Sequence, residues 1–434
     1  MFTQLFGKYL NDNSVITDTE RKSFQEKFQS TRVKMGTIAV AQGLLTNEQA
    51  EEINHKQTQQ DRRFGDIAVE LDYLTNEQVD EIISKQGDTA MKYFQILCDE
   101  GGLTMDKIDE NLSSFQKSSG FTDEEFAALK KDDIDSIISH FAIVRDTTIT
   151  DFASLIARNF TRFISSDFYF ERIKKVTDYS YSMFAGQKSS GDSNIYLGFA
   201  SDGELDGITT LAKLYAKGVK LSGSDEVYDA ICEFANLNNG LFATSLSDGG
   251  KYIDMLPPEI YLNQKISGTA YIMPLYIEDK KIDIIISVDD NFIPGEKPHT
   301  VNITKSSVDR VASDAKASVL VVDDSSLIRK ILINLLSSNG FNIVGEAANG
   351  KDGVELYKEM KPNIVTLYVT MPIIDGVEAL KQIIEFDSSA KVAMITAAGQ
   401  KEKLMEALKL GAELFITKPF DESKVLSSLE DLIK

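Results

Sequence analysis

Two cysteines and three histidines in 434 residues leave little material for redox or transition-metal chemistry. Cys98 and Cys232 are too few for a disulfide framework, and His55, His140 and His299 lie near neither cysteine nor one another at metal-ligand spacing. A zinc centre or a Cys/His nucleophile pair would have to be gathered from remote segments. Long apolar runs are missing as well. No stretch reaches the roughly 18 residues that cross a bilayer, and the opening MFTQLFGKYLNDN has neither the cationic start nor the apolar core of a signal peptide. These absences predict a cytoplasmic protein with no membrane span. Positive charge is the third shortage: 46 Lys and Arg face 67 Asp and Glu, a net charge of −21. Such a surface repels phosphate backbones and anionic lipid, so nucleic acid is not expected as a partner.

What is present is enough apolar material, 42% of the chain, for packed cores in about three domains. A repeat marks the acidic N-terminal third, where KMGTIAVAQGLLTNEQAEEINHKQ (34–57) returns as RFGDIAVELDYLTNEQVDEIISKQ (63–86), each 24 residues long with five between them. Gly36 and Gly65 hold the third place of each copy, and the shared LTNEQ predicts helix starts at Thr46 and Thr75, with Gln49 and Gln78 completing capping boxes. The economical reading is stacked short helix pairs over 31–88, after an N-terminal segment of 1–30 and before a helical extension of 89–139. The doubled pattern resembles the N-terminal module of type II secretion and type IV pilus ATPases, whose two Arg-Leu-Gly repeats bind cyclic di-GMP. The resemblance implies possible nucleotide contacts at Lys34, Gly36, Arg63 and Gly65, although Lys34 and Met35 replace the first Arg-Leu, and Asp72 stands where that family has glycine. An ammonium cannot stack on a purine and grip a phosphate with two bonds as a guanidinium does, so a helical protein-interaction module is the competing reading.

From Ser318 onward short apolar strands alternate with amphipathic helices: SVLVVDD, FNIVGEA, NIVTLYVT, KVAMITAA and ELFITKPF. Five such units predict an α/β, doubly wound, flavodoxin-like five-stranded parallel sheet over 317–434, with any site at the carboxyl ends of the strands. Asp323 and Asp324 end the first strand, Thr396 the fourth, and Lys418 the fifth. Converging carboxylates, hydroxyl and ammonium suit a divalent metal and a phosphoryl group. The segment closely resembles the CheY-type receiver domains of two-component response regulators. In that family the residue four before the proline of the third-strand motif accepts phosphate. Here the motif is LYVTMPIIDG and the acceptor position holds Tyr368. A phenol forms no acyl phosphate and gives a metal no carboxylate, so the domain reads as a pseudo-receiver whose Asp323 and Asp324 alone hold magnesium weakly. Thr396 and Phe415 stand at the family's switch positions.

Between these regions, 140–299 reads as an α+β domain, followed by a linker at 300–316 rich in Ser, Asp and Lys. Two helices are predicted at 206–219 and 224–247, with strands around them. On the second helix Glu233 and Asn236 are three apart and share a face. Ile231, Phe234 and Leu237 take the buried side, so the polar pair is expected to project outward into solvent. Glu-x-x-Asn also occurs at Glu51/Asn54 and Glu346/Asn349, and only the copy at Glu233 has Asp229 four residues earlier and NNGLFATSLS just after. The string DAICEFANLNNG resembles the signature of the CheC/CheX/FliY phosphatases of bacterial chemotaxis, and its single copy points to the CheX branch, covering 146–292; the earlier helix has Asn159 but Ile156 at the glutamate position.

The resemblance implies a phosphatase of an aspartyl phosphate on a separate, phosphorylated CheY-like response regulator. Asn236 would place the water, Glu233 would hold the partner's lysine, and magnesium would belong to the partner. No tightly bound cofactor of its own is expected, and a homodimer through the middle domain is implied. The pseudo-receiver would regulate or dock. A non-catalytic signalling scaffold, gated by cyclic di-GMP, is the alternative from another class; an ordinary response regulator with the middle domain as output is the third, and Tyr368 argues against it.

Overall fold

The computed structural model describes residues 1–434 apart from 32–34, 60–61, 87–88, 143, 145, 166, 290, 300–305, 308–314, 398–399, 420 and 434. It divides into two compact units, one of Met1–Lys174 with Met273–Lys281, the other of Lys175–Ile272 with Ile282–Lys434. Among the described residues no helix is long and apolar enough to cross a membrane.

The first unit is helical from Phe2–Asp12 through Thr147–Asn159. The repeats each form a short helix followed by a longer one, Met35–Ala41 with Asn47–Gln59 and Phe64–Glu70 with Asn76–Gln86. Both expected capping boxes form: Gln49 N donates to Thr46 Oγ1 at 3.2 Å while Thr46 N donates to Gln49 Oε1 at 2.9 Å, and Thr75 with Gln78 does the same at 3.2 and 2.8 Å. The two copies share one core of Ala39, Leu45, Ala50, Ile53, Phe64, Ile67, Ala68, Leu74 and Ile82. Each repeat alone lacks a partner for its apolar stripe, and the pair supplies it. The glycines are packing residues: a Cβ at Gly36 would lie 3.3 Å from the Phe64 ring, and one at Gly65 would lie 2.6 Å from Val79 Cγ1. Gly65→Ala is therefore expected to destabilise this module by about 1–3 kcal/mol, because the branched Val79 is held to one strongly preferred χ1 in its helix and yields at a cost. Denaturant unfolding of the chain followed by fluorescence or circular dichroism would measure it, and an unchanged midpoint would remove this account of the glycine.

The middle sheet has the strand order Phe168–Phe170, Glu259–Ile277, Lys280–Val288, Ile195–Ser201, Lys174–Gly191 and Ile253–Met255. Ile195–Ser201 is antiparallel to both of its neighbours. The runs DFYFERIKKV (167–176) and DYSYSMFAG (178–186), each of which reads as a strand by itself, form the short strand Phe168–Phe170 and the long strand Lys174–Gly191. Ile253–Met255 is too short for its alternation to stand out in the sequence. Helices Asp206–Tyr215 and Ser224–Asp248 pack together on this sheet through Ile208, Leu211, Phe234 and Phe199, and the opposite face is an aromatic cluster of Tyr181, Phe184, Tyr196 and Tyr261.

The C-terminal sheet has the order Leu414–Thr417, Val392–Thr396, Ile364–Tyr368, Ser318–Val322, Asn342–Ala347, all parallel. Ser306–Ser307 adds antiparallel beyond Asn342–Ala347, so part of the expected linker forms a strand while most of 300–316 lies outside the described residues. Five helices cover the faces, Ser326–Ser338, Gly350–Met360, Gly376–Phe386, Lys401–Leu410 and Glu422–Ile433. Strands buried on both sides read as continuous Val/Ile/Leu runs, as Val319–Val322 does with no exposed residue.

Candidate functional site

The strand ends of the C-terminal sheet bring Asp323, Asp324, Tyr368 and Lys418 together, as the α/β pattern predicts. Tyr368 is fixed by the turn that follows it. Gly376 N donates to Val369 O at 2.7 Å, and a Cβ on Gly376 would lie only 2.0 Å from Tyr368 O, so this close approach needs glycine. Lys418 Nζ lies 3.0 Å from Asp323 Oδ2 and 3.7 Å from the centroid of the Tyr368 ring, pairing a carboxylate on one side and a π face on the other. Arg329, on the first helix, holds the backbone of the strand end by donating to the carbonyls of Asp323 at 2.7 Å and Asp324 at 3.2 Å. Thr396 is not turned to the acidic cluster: its hydroxyl donates to Gln400 Oε1 at 2.7 Å. Phe415 packs half-buried against the domain core.

The long helix Ser224–Asp248 is where the structure departs from the outward projection expected of Glu233 and Asn236. Both are buried, at 5% and 3% exposure. The helix is covered on two sides, by its own sheet and by the carboxyl edge of the C-terminal domain. An amphipathic pattern shows which face is apolar but not that a polar face has a partner. Three residues four and three apart on this helix each meet the receiver pocket. Asp229 Oδ2 accepts from Ser325 Oγ and Ser326 Oγ at 3.0 Å and from Leu327 N at 2.9 Å. It caps, from outside, a helix whose own first turn has no acidic residue. Glu233 faces Lys418 Nζ at 3.4 Å. Asn236 Nδ2 donates to the Tyr368 hydroxyl at 2.7 Å.

The orientation of the Asn236 amide follows from a residue that sequence reasoning missed. Gln187 Nε2 donates to Leu256 O at 2.8 Å, and a carbonyl can only accept, so the Gln187 nitrogen is identified. Its second hydrogen goes to Asn236 Oδ1 at 2.9 Å, and Gln187 Oε1 accepts from Asn239 Nδ2 at 2.9 Å. That leaves Asn236 Nδ2 aimed at the receiver. No local signal marks Gln187, because it comes from a strand 49 positions earlier. Lys330 with Glu226, and Lys403 at 3.9 Å from Asp254, complete the polar rim.

Burial and an excess of carboxylates dominate the electrostatics. Burial raises the Glu233 carboxyl to about 7, against the opposing pull of Lys418. Burial, then Asp323, holds Asp324 well above the usual carboxylate range. Burial alone would lower Lys418, but Asp323 and Glu233 outweigh it and keep the ammonium charged. Burial keeps the Tyr368 phenol protonated. One oxygen each from Glu233, Asp323 and Asp324 lie within 4.8 Å of one another, an all-oxygen donor set of the kind hard divalent cations take.

Among the residues expected to touch a nucleotide, Lys34 lies outside the described residues. Gly36 and Gly65 face Phe64 and Val79. Arg63 is held by Asp133 at 3.0 Å and Asp135 at 2.9 Å.

The family model for the response regulator receiver domain matches residues 319–430. The chemotaxis protein CheY of Thermotoga maritima is 43% identical over 116 residues, which is 27% of this chain and 97% of that protein. The chemotaxis protein CheY of Listeria monocytogenes is 47% identical over 116 residues, 27% of this chain and 98% of its own. Among solved structures, a chain of the CheX-CheY-BeF3-Mg+2 complex from Borrelia burgdorferi is 42% identical, covers 27% of this chain and 89% of its own, and has a TM-score of 0.26. With two aspartates and a lysine at the ends of parallel strands, and near-complete coverage of CheY proteins at these identities, the chain belongs, through residues 319–430, to the response regulator receiver family.

Proposed function

We propose that this protein is a chemotaxis-type signalling phosphatase that hydrolyses the aspartyl phosphate of a separate CheY-like receiver, and that its own pseudo-receiver regulates it by occupying the same helix. The observation that carries the reading is the three-point contact of Asp229, Glu233 and Asn236 with Ser325–Leu327, Lys418 and Tyr368. The signature residues meet the strand-end residues that, in a receiver with an acceptor aspartate, surround the phosphoryl group.

An acyl phosphate is already reactive, so the helix mainly has to place water in line with phosphorus. Glu233 pairs with the pocket lysine and sets the register. Asn236, its oxygen held by Gln187, presents Nδ2 to the water oxygen. One lone pair then takes the amide hydrogen and the other is left for attack. Water adds to phosphorus, the P–O bond to the aspartyl carboxylate breaks, and the proton leaves to solvent. The magnesium in this step belongs to the phosphorylated partner. In the closed chain the phenol of Tyr368 sits where that water would be placed.

The test is hydrolysis of a phosphorylated CheY-type protein in trans. Asn236→Ala is expected to lower the rate at least tenfold, since an amide that positions a reacting water contributes on the order of 10²-fold. Equal rates for the native chain and the variant would exclude the enzyme. The burial of Asn236 favours the second reading, a scaffold that binds receivers without hydrolysing them, and that reading predicts equal rates. The dimer implied through the middle domain, and cyclic di-GMP binding by the repeats, belong to the proposal too. Sedimentation of the chain, and nucleotide titration of native protein against Arg63→Ala, address them separately.

A further inference from the structure

The middle domain and the receiver each carry more Asp and Glu than Lys and Arg, in a chain of net charge −21. Where they touch, opposite charges face one another. Three lysines of the receiver meet three carboxylates of the middle domain: Lys418 with Glu233, Lys330 with Glu226, and Lys403 with Asp254. Like-charged surfaces repel on approach, so the placing of these few cations governs what can seat on the acidic face.

The three pairs differ in what they can tell apart. Lys418 belongs to the strand-end pocket, and Lys403 is also answered at home, by Asp375 Oδ2 at 3.8 Å against 3.9 Å to Asp254. Lys330 and Glu226 meet at 2.5 Å. Glu226 is set for this contact from its own side, since Ser222 N donates to its Oε2 and leaves Oε1 for the lysine. The helical spacing agrees. Glu226 and Asp229 are three apart on the long helix, and Ser326 and Lys330 four apart on the receiver's first helix, so the ion pair lies one turn from the contacts of Asp229. One of those contacts is to a backbone N–H, which any sequence offers; Glu226 meets only a side chain. The pair is partly exposed, 21% for Glu226 and 36% for Lys330. It therefore adds little to stability when made, and acts by penalising the wrong charge.

We propose that Glu226 selects which receiver seats on the long helix, by taking a cation at the fifth residue of the receiver's first helix, the place of Lys330. The partner it fits is a CheY-like receiver with Lys or Arg there. A receiver with Asp or Glu at that place is turned away, even with an acyl phosphate in its pocket. The pseudo-receiver carries the lysine itself and so competes with the partner for the same carboxylate. As selection among substrates this rests on the phosphatase reading; as selection of what docks it rests on the contacts alone.

The test begins with the full chain and hydrogen exchange over Ser224–Asp248. Glu226→Lys and Lys330→Glu are each expected to speed exchange about tenfold or more, and the double variant Glu226→Lys/Lys330→Glu to return it to within about threefold of native. Independent structural roles would make the two losses add, and additive losses overturn the proposal. If circular dichroism shows a single variant unfolded, the double variant still decides. Selection in trans is read with full chains carrying Tyr368→Asp and Asn236→Ala, charged by acetyl phosphate and magnesium, as substrates that lack their own water-positioning amide. In kcat/KM the native chain is expected to prefer the substrate that keeps Lys330 over its Lys330→Glu form by about tenfold, and a Glu226→Lys chain to reverse that preference. Whatever Lys330→Glu does to the substrate's own docking enters both preferences alike and cancels. A preference that stays the same in the Glu226→Lys chain overturns the selection. Absence of hydrolysis by every chain would instead end the catalytic reading, with the exchange experiment still deciding whether Glu226 and Lys330 choose each other.

Discussion

Lys418→Met is expected to release the pseudo-receiver from the long helix. Among the described residues the ammonium is the one cation shared by Asp323 and Glu233, and all three side chains are buried at 7%, 0% and 5% exposure. Removing one member of a buried pair leaves the others charged in a poor solvent, a cost of about 3–5 kcal/mol. Separation of the helix from the receiver rehydrates Glu233 and opens the pocket to water, which costs less than unfolding either domain. A loss of that size shifts the docking equilibrium by about 10² to 5 × 10³. Hydrogen exchange over Ser224–Asp248 should therefore rise in Lys418→Met while the sheet of the C-terminal domain stays protected. Hydrolysis of a phosphorylated receiver in trans should accelerate by more than tenfold, because Asn236 is no longer engaged with Tyr368. Asn236→Ala in the same background should cancel the gain. A helix as protected as in the native chain would rule out the pair as the lock.

Tyr368→Asp should convert the pseudo-receiver into a receiver that dephosphorylates itself. In the native chain a buried, protonated phenol stands at the acceptor position, and incubation with acetyl phosphate and magnesium is expected to give no adduct by intact mass. An aspartate there can attack the phosphorus of acetyl phosphate with departure of acetate, and Lys418 remains in place to pair with the phosphoryl oxygens. One phosphate per chain is the expected adduct. The Asn236 amide, 2.7 Å from the hydroxyl of the residue replaced, would then act on that adduct in cis. The double variant Tyr368→Asp/Asn236→Ala should hold its phosphate about 10–10² times longer than Tyr368→Asp alone. Equal lifetimes would show that the contact is a dock without chemistry, which is the scaffold reading. A native chain that takes up one phosphate would revive the ordinary response regulator.

Much of the local architecture was legible because it is written in short-range patterns. The LTNEQ boxes cap their helices through contacts three residues apart, and the helix Ser224–Asp248 begins where 224–247 was read. The parallel sheet followed from five apolar runs, and the strand-end residues Asp323, Asp324 and Lys418 followed from the rule that such sheets present their sites there. The strand Ile253–Met255 was not legible, having three residues and no period of its own. Gln187 was not either, since the amide it orients lies on another element. The burial of Glu233 and Asn236, against the outward projection their spacing predicts, has a related reason: helical periodicity separates two faces but carries no information about a second partner.

Residue order alone puts a tyrosine where CheY-type receivers carry their acceptor aspartate, ends the first and fifth strands of the C-terminal sheet with two aspartates and a lysine, and sets Asp229, Glu233 and Asn236 on one helical face. Those are properties of residue identity and period. That the two sets meet follows from packing between elements distant in the chain. That packing placed Asn236 on Tyr368 and Glu233 on Lys418, and it brought the Glu233 carboxylate beside those of Asp323 and Asp324. The physical reason is that docking is set by shape and by charges more than a hundred positions apart, where no local pattern records which polar face will lose its water.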